Sequence, residues 1–451
     1  MKTLDQVEAR IPIDATHTPG SGNNTFVISA PGSYYLTGNI TLSDKTKTAI
    51  AITTSDVTVD LNGFRLSNVA AVTDTSGGAG VSISGQSCVI KNGTITGFVD
   101  GLIGGPGPIT DPLGAIISDI TVKACKDAIF LLGTGSLVRN CTATSCFFGI
   151  NVGSGNTVEH CTASNNLGHG IFASTYSTVI GCTVQGSGSQ GSSPGGIVVD
   201  SSSTVADCNS SNNPGVIGIK TGDSCLVSNS TAAGNAAGIE VSLRSTVVNC
   251  TASSNVSQEG IRCASNQTSQ ANISVLHCTA DGNHDGIRVG KGCTIIDCTV
   301  GQNFFEGIIA DIGSTVRHCT VRLNGEAGIF FTSDCYVADN TADSNNQLNE
   351  SQFNVRVAGL WAFGSTNRIE GNSMTSNVNC PGLRVEGSNN LILHNSARSN
   401  NPNYALDTNN RYGPIVDLTS NPNFGPVNGN VAGSTLNDSS GGSHPWANYA
   451  Y

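Results

Sequence analysis

A Cys or Asn, usually followed by Thr, returns at Cys141, Cys161, Cys182, Cys208, Asn229, Cys250, Cys278, Cys298, Cys319, Asn340, Asn372 and Asn395, and most of the steps are 20 or 21 residues. A fixed period of this length marks an array whose repeats bury their apolar faces only against one another. Five residues beyond most anchors stands an Asn, from Asn166 and Asn213 to Asn377 and Asn400. A Gly-Ile or Gly-Leu pair follows, from Gly149-Ile150 to Gly382-Leu383. Each period holds three short bursts of alternating apolar and polar residues and leaves no room for a helix. Coils of this kind, stacked at about 4.8 Å, pair every strand with its equivalents above and below and build long parallel sheets around a narrow core. The fold class that follows is all-β, a parallel β-helix.

The phrase Asn-Cys-Thr-Ala, then Asn, then Gly-Ile, as it stands at Asn140-Cys141-Thr142-Ala143 and Asn249-Cys250-Thr251-Ala252, resembles the right-handed parallel β-helix repeat family of the pectate-lyase-like superfold. The resemblance covers roughly residues 48 to 410 and implies a right-handed solenoid of about 12–14 coils. Earlier coils, "VTVDLNGFRL" (57–66) and "CVIKNGTITGF" (88–98), keep the geometry with Asn-Gly in place of Cys-Thr, so the pattern is positional. Residues 1–47 are expected to cap the N-terminal coil, and 411–451 to form a C-terminal cap or tail, because an uncovered coil exposes a sheet edge and an open core. One superfold hosts many chemistries. Relatives that act on pectin carry short Asp-rich or Arg-centred motifs, and none is matched residue by residue here, which counts against a polygalacturonase or pectate lyase.

Composition narrows the partners. Only 12% of the 451 residues are charged and the net charge is −11, so the basic footprint of a nucleic-acid or anionic-membrane binder is missing. No apolar run reaches the roughly 18 residues that span a bilayer, which argues against membrane insertion. Low Lys with abundant Ser, Thr, Asn and Gly suggests a secreted, periplasmic or cell-surface protein. The first ten residues carry no basic-then-apolar signal sequence, so either the protein is cytosolic or that location requires a leader outside this sequence.

The columns read first as structure. The anchor Cys alternates with outward Thr and points inward, where a thiol behaves as a small hydrophobe. Parallel inward side chains keep Cβ atoms near the coil spacing, above the roughly 3.5–4.5 Å of a disulfide, so the expected state is reduced. Cys225, Cys293 and Cys335 share a second small-residue column with Ser177, Ser203, Ser245 and Ser314. The Asn column is expected to form a stacked amide ladder. Before the anchors, His277, Asp297, His318 and Asp339 fall on four successive coils, a ligand-like set. Yet Asn140, Asn249 and Gly181 share that position, and these residue types are the ones that tolerate a left-handed bend. The bend explains the whole column. No metal site and no cofactor are therefore expected, and no motif supports calcium.

Chemistry is sought on the outward positions of the Gly-Ile strand. Glu259, Asp285 and Glu306 precede the Gly on successive coils, and Glu240, Arg262, Arg288, Phe330 and Trp361 follow the Ile or Leu, with Asp311 two residues further on. Stacked carboxylates push one pKa upward, the equipment of glycoside hydrolysis, with Glu259, Asp285 and Glu306 as acid/base candidates. Glu240, Arg262, Arg288, Asp311, Phe330 and Trp361 are the substrate-binding candidates: Arg262 and Arg288 could hold a uronate bidentately, or serve a β-elimination, while Phe172, Phe330 and Trp361 offer rings for sugars to stack on. The competing structural reading takes Glu259–Arg262 and Asp285–Arg288 as salt bridges of a solvated sheet. Insertions at 186–195 and 346–357, and a third at 264–271, would wall a groove for an extended polymer. The expected function is cleavage or modification of a polysaccharide or oligosaccharide, by hydrolase or lyase. The alternative is a noncatalytic glycan-binding or adhesin-like solenoid that can assemble with itself as a homo-oligomer.

Overall fold

The computed structural model describes residues 10–69, 77–105, 113–188, 195–263, 270–348, 357–417 and 446–451. The chain divides into two units, Met1–Cys225 and Leu226–Tyr451, and each is a stack of coils whose strands pair in parallel. In the first unit the Gly-Ile sheet runs from Asn24–Ile28, Thr48–Ile52 and Ala79–Ile83 through Asp100–Gly104 and Asp127–Leu131 to Ile217–Thr221. In the second it runs from Ala237–Val241 to Tyr404–Leu406. The coils number about 17, against the 12–14 expected. Strands at Asn24–Ile28, inside the expected N-terminal cap, and at Asp127–Leu131 and Tyr404–Leu406 also belong to the stack.

One pair of coils shows how the repeat folds. Strands Ile287–Val289, Thr294–Ile296 and Thr299–Gly301 are followed by Ile308–Ala310, Thr315–Arg317 and Thr320–Arg322. The register places Ile287 on Ile308, Thr294 on Thr315 and Thr299 on Thr320. Alternation then sorts the side chains: Ile287, Ile295, Val300, Ile308, Val316 and Val321 are fully buried, and the intervening Thr residues face outward. Because period two decides which face a residue takes, a one-residue slip would expel the whole core.

A second constraint is polar. In the C-terminal unit Asn255, Asn283, Asn303, Asn324, Asn345, Asn377 and Asn400 form a continuous ladder. The Nδ2 of Asn283 donates to Asn303 Oδ1 at 3.2 Å, Asn303 Nδ2 to Asn324 Oδ1 at 2.9 Å, and Asn324 Nδ2 to Asn345 Oδ1 at 2.9 Å. Each Oδ1 also accepts a backbone N–H from the coil before, as Asn303 Oδ1 does from Asn283 at 2.9 Å. The second Nδ2 hydrogen of Asn303 goes to the carbonyl of Ala280 at 3.2 Å. All four valences of the buried amide are thereby used. The ladder also explains the Gly of the Gly-Ile pair: a Cβ on Gly307 would lie 2.7 Å from Asn324 Nδ2 and 2.6 Å from the carbonyl oxygen of Gly328. Gly is present because the amide of the next coil fills the space a side chain would need.

The 16 cysteines are all free and buried. Their thiols donate within the bend, as from Cys319 Sγ to the carbonyl of Arg317 at 3.2 Å. Burial pushes the Cys335 thiol up to about 11 and the Cys380 thiol up to about 12, which suits packing rather than nucleophilic duty. In the C-terminal unit the strand Asn448–Ala450 returns to pair with Ser396–Arg398. There Asn448 Oδ1 accepts from the backbone N–H of Asn395 at 2.9 Å and prolongs a second ladder. Much of the expected caps, residues 1–9 and 418–445, lies outside the described residues.

Replacing Asn303 with Leu removes one rung and strands the donors of Asn283. We expect a loss on the order of 3 kcal/mol in urea unfolding, with the isosteric Asn303→Asp also destabilising because its second oxygen would face the carbonyl of Ala280. Midpoints equal to the parent protein's would show the ladder to be dispensable.

Candidate functional site

The outward positions of the Gly-Ile sheet in the C-terminal unit align coil by coil. Glu240 stands opposite Arg262, Arg262 opposite Arg288, Arg288 opposite Ile309, Ile309 opposite Phe330, and Phe330 opposite Trp361. Beside them, Gly260 N–H donates to the Asp285 carbonyl at 2.8 Å and Gly286 N–H to that of Glu306 at 3.0 Å, so Glu259, Asp285 and Glu306 occupy three adjacent coils. The sheet register thus brings together residues that are 45 positions apart in the chain between Glu240 and Asp285, with Glu306 one coil beyond.

The charges alternate in space. Arg262 donates from Nε to Glu240 Oε2 at 3.0 Å, with Nη2 on the same oxygen, and from Nη1 to Gln258 Oε1 at 2.8 Å and Glu259 Oε2 at 3.4 Å. The other Glu259 oxygen forms an ion pair with Arg288 Nε at 2.9 Å, and Arg288 Nη2 reaches Asp285 Oδ2 at 3.4 Å. His284 Nδ1 lies 3.6 Å from that same Asp285 oxygen. Burial works against the Arg262 charge, yet the hydrogen bond and charge of Glu240, joined by Glu259, outweigh it and hold the guanidinium above its usual range. The Glu259–Arg262 and Asp285–Arg288 salt bridges foreseen as the structural alternative are present. Both guanidiniums, proposed as clamps for a uronate, are already engaged by the protein's own carboxylates.

This is not an ordinary solvated face, on which outward charges stay in water. Glu240 is 8% exposed, Asp285 4% and Glu306 5%. Among the described residues Asp285 Oδ1 is buried with no hydrogen-bond partner, an arrangement that costs free energy unless something occupies it. Asp311 stands apart at the strand end, where its Oδ1 accepts from the N–H of Ile312 at 2.8 Å and the hydroxyl of Thr332 at 3.1 Å.

The aromatic candidates are placed differently from a stacking platform. Phe330 and Trp361 are buried with Ile309, Ala327 and Ala358 in a compact outer cluster, where the side chains of neighbouring coils pack against one another. The exposed ring is Phe363, 55% accessible, which lies 6.2 Å from Phe330 and 6.1 Å from Trp361 between centroids. It falls two residues past the Trp361 column, the position that holds Asp311 two coils earlier, where sequence reasoning looked for charge and took no account of a ring. The Arg384 guanidinium sits 4.5 Å over the Trp361 ring, while Trp361 Nε1 is buried without an acceptor among the described residues. The insertions expected to wall a groove fall largely at 189–194, 264–269 and 349–356, outside the described residues.

The N-terminal unit holds a carboxylate pair that the sequence reading did not single out. Asp100 and Asp127 are register partners on adjacent coils, and Lys126 Nζ lies 2.9 Å from Asp127 Oδ2. Burial, then the charge of Asp127, pushes Asp100 up to about 6. Their coils read Gly101-Leu102 and Ala128-Ile129, so a search keyed to Gly-Ile from residue 149 onward passes over them. The next outward residues in this column, Phe148 and His169, stack at 5.7 Å, with Phe172 5.5 Å beyond His169.

The His and Asp column is a line of bends. His277, Asp297, His318 and Asp339 all have φ between 53° and 57°, and Asn140, Asn249 and Gly181 share that left-handed conformation. Asp297 lies 3.5 Å from both His277 and His318, one through each oxygen. The two imidazoles therefore approach opposite oxygens of one carboxylate from neighbouring coils.

With the geometry in place, the class is evident. A family profile described as "Right handed beta helix region" matches residues 24–203, 108–252, 153–305 and 215–357, and the chain belongs to this right-handed β-helix family. No curated protein sequence matches it. Among solved structures it is similar to the A-module of the Azotobacter vinelandii mannuronan C-5 epimerase AlgE4, at 14% identity over 85% of this chain and 91% of that one, TM-score 0.28. It is also similar to the Agl-KA catalytic domain, at 12% identity over 89% and 62%, TM-score 0.34. A third similarity is to tailspike protein 3 of bacteriophage CBA120, at 11% identity over 89% and 59%, TM-score 0.34. At these identities and scores the likenesses carry nothing about activity.

Two outcomes follow. His318→Asn should leave stability unchanged, and His318→Val should cost about 1–2 kcal/mol, because a β-branched side chain opposes positive φ; equal losses for both in urea unfolding would point to a role for the imidazole instead. In the N-terminal unit, Asp100 holds its proton more tightly folded than unfolded. Its stabilisation is therefore full below about pH 4 and is lost as pH rises through about 6. Asp100→Asn should flatten the unfolding midpoint across that window.

Proposed function

We propose that the C-terminal unit binds a polysaccharide along the outward face of its Gly-Ile sheet and cleaves it with carboxylate chemistry centred on Asp285 and Glu306. The observation that carries the reading is Asp285: a buried carboxylate on an outward face, with one oxygen held by Arg288 and the other without a partner. In a glycoside hydrolase one such carboxyl protonates the leaving glycosidic oxygen and the other activates water or attacks the sugar carbon. Glu259 sits between two guanidiniums and is better suited to hold Arg262 and Arg288 in place than to exchange protons. With both arginines occupied, elimination using Arg as base is the less favoured chemistry. A secreted or cell-surface location fits a polymeric substrate.

The second reading, a noncatalytic glycan-binding solenoid, is favoured by the continuity of the Glu240–Arg262–Glu259–Arg288–Asp285 chain, which is complete without substrate. A panel of neutral and uronic-acid polysaccharides, followed by reducing ends and by ultraviolet absorbance of unsaturated uronides, separates the possibilities. For a hydrolase, reducing ends rise without absorbance, and Asp285→Asn lowers turnover by about 10²–10⁴-fold with circular dichroism unchanged. Turnover that survives this substitution would remove Asp285 from the chemistry, and silence of the folded parent protein across the panel would favour the binding solenoid.

A further inference from the structure

Resting on the carbohydrate reading above, we infer that the polymer taken by this face is a neutral, hydroxyl-bearing glycan and not a polyuronate. Four sheltered carboxylates, Glu240, Glu259, Asp285 and Glu306, share the face with two guanidiniums. Arg262 lies between Glu240 and Glu259, and Arg288 between Glu259 and Asp285. For Arg262, whose Nε, Nη1 and Nη2 are all engaged, to clamp a uronate it must release a carboxylate that is itself out of water, and Arg288 can offer a uronate only the outer edge left beside its contacts with Glu259 and Asp285. The uronate then replaces an existing ion pair instead of adding one, and leaves a buried charge exposed to repulsion. A polyuronate would also repeat its negative charge along a face whose own balance is negative, on a chain of net charge −11.

The groups without partners point the same way. Asp285 Oδ1 is an acceptor lacking a donor, and Trp361 Nε1 is a donor lacking an acceptor, both on residues more than nine-tenths buried. A hydroxyl answers both needs, because it donates and accepts. A carboxylate answers only the indole and opposes Asp285. Three coils separate the two residues in the register Arg288, Ile309, Phe330, Trp361, a span of about 14 Å at the strand spacing, so successive sugars of one extended chain can meet them. Phe363, the exposed ring beside Trp361, offers an apolar surface to the C–H face of a neutral sugar.

The test is calorimetric titration of the full chain with neutral cello-, xylo- and malto-oligosaccharides and with oligogalacturonate and oligomannuronate. We expect a neutral series to bind at least about tenfold more tightly than either uronate, and Asp285→Asn and Trp361→Phe each to weaken it by about tenfold, the loss of one hydrogen bond to a buried polar group. Trp361→Phe removes Nε1 together with one ring of the indole, so it is read beside its own unfolding midpoint and tests the inference even if Asp285→Asn folds poorly. Tighter binding of a uronate, or neutral binding that neither substitution moves, would overturn the inference while leaving the carbohydrate reading standing. Binding of no oligosaccharide in either series would sink both.

Discussion

The buried asparagine ladder is the interaction on which the rest of this structure depends. A stack of parallel coils has little to prevent one coil from sliding over the next except the side-chain register, and apolar columns of Ile, Val and Ala are nearly interchangeable along the stack. The amides are not interchangeable. Asn283, Asn303 and Asn324 each engage the backbone of one neighbouring coil and the amide of another, and a displaced rung would leave buried donors and acceptors unpaired. In the C-terminal unit the Gly of each Gly-Ile pair from Gly238 to Gly328 leaves room for this amide. The left-handed bends at His277, Asp297, His318 and Asp339 start each third strand in phase with its neighbours.

Once register is held, the outward face becomes a surface on which chemistry is set by which residue falls on which coil. The C-terminal unit uses this to alternate charge, so that Arg262 and Arg288 each bridge carboxylates from neighbouring coils. It then passes to an apolar stretch of Ile309, Phe330 and Trp361. Stacking like charges at strand spacing would otherwise be costly, and interleaving guanidiniums offsets the repulsion. The sheltered carboxylates at Glu240, Asp285 and Glu306 make this face polar without making it wet. That combination strengthens each electrostatic interaction within it and raises the penalty for any charge left unpaired.

Much of the fold was legible in the sequence because its cause is periodic. The recurrence from Cys141 to Asn395 gives the coil length, the alternation around Ile287 and Ile308 assigns the inward face, and the shared position of Asn, Asp, His and Gly reveals the bend. Less of the site was legible. Glu259, Asp285 and Glu306 were recognisable as a column, since position within the repeat determines which residues stack. That Asp285 keeps an unpartnered oxygen while Glu259 is held between two arginines depends on rotamers and burial, which no spacing encodes. Phe363 and the Asp100–Asp127 pair were missed because the column was followed only from Gly149 onward and the position of Phe363 was read for its charge at Asp311 and not for a ring.

The sequence by itself determined that the chain coils, with what period, which columns face inward, and that its thiols and amides are packing groups, because these follow from a repeat whose every copy meets the same neighbours. Only the tertiary structure decided which outward groups are sheltered, that Phe330 and Trp361 are buried while Phe363 is exposed, and that both arginines are already engaged. Those outcomes depend on local coverage and on side-chain directions at individual coils. There the repeat is broken, and one position no longer predicts the next.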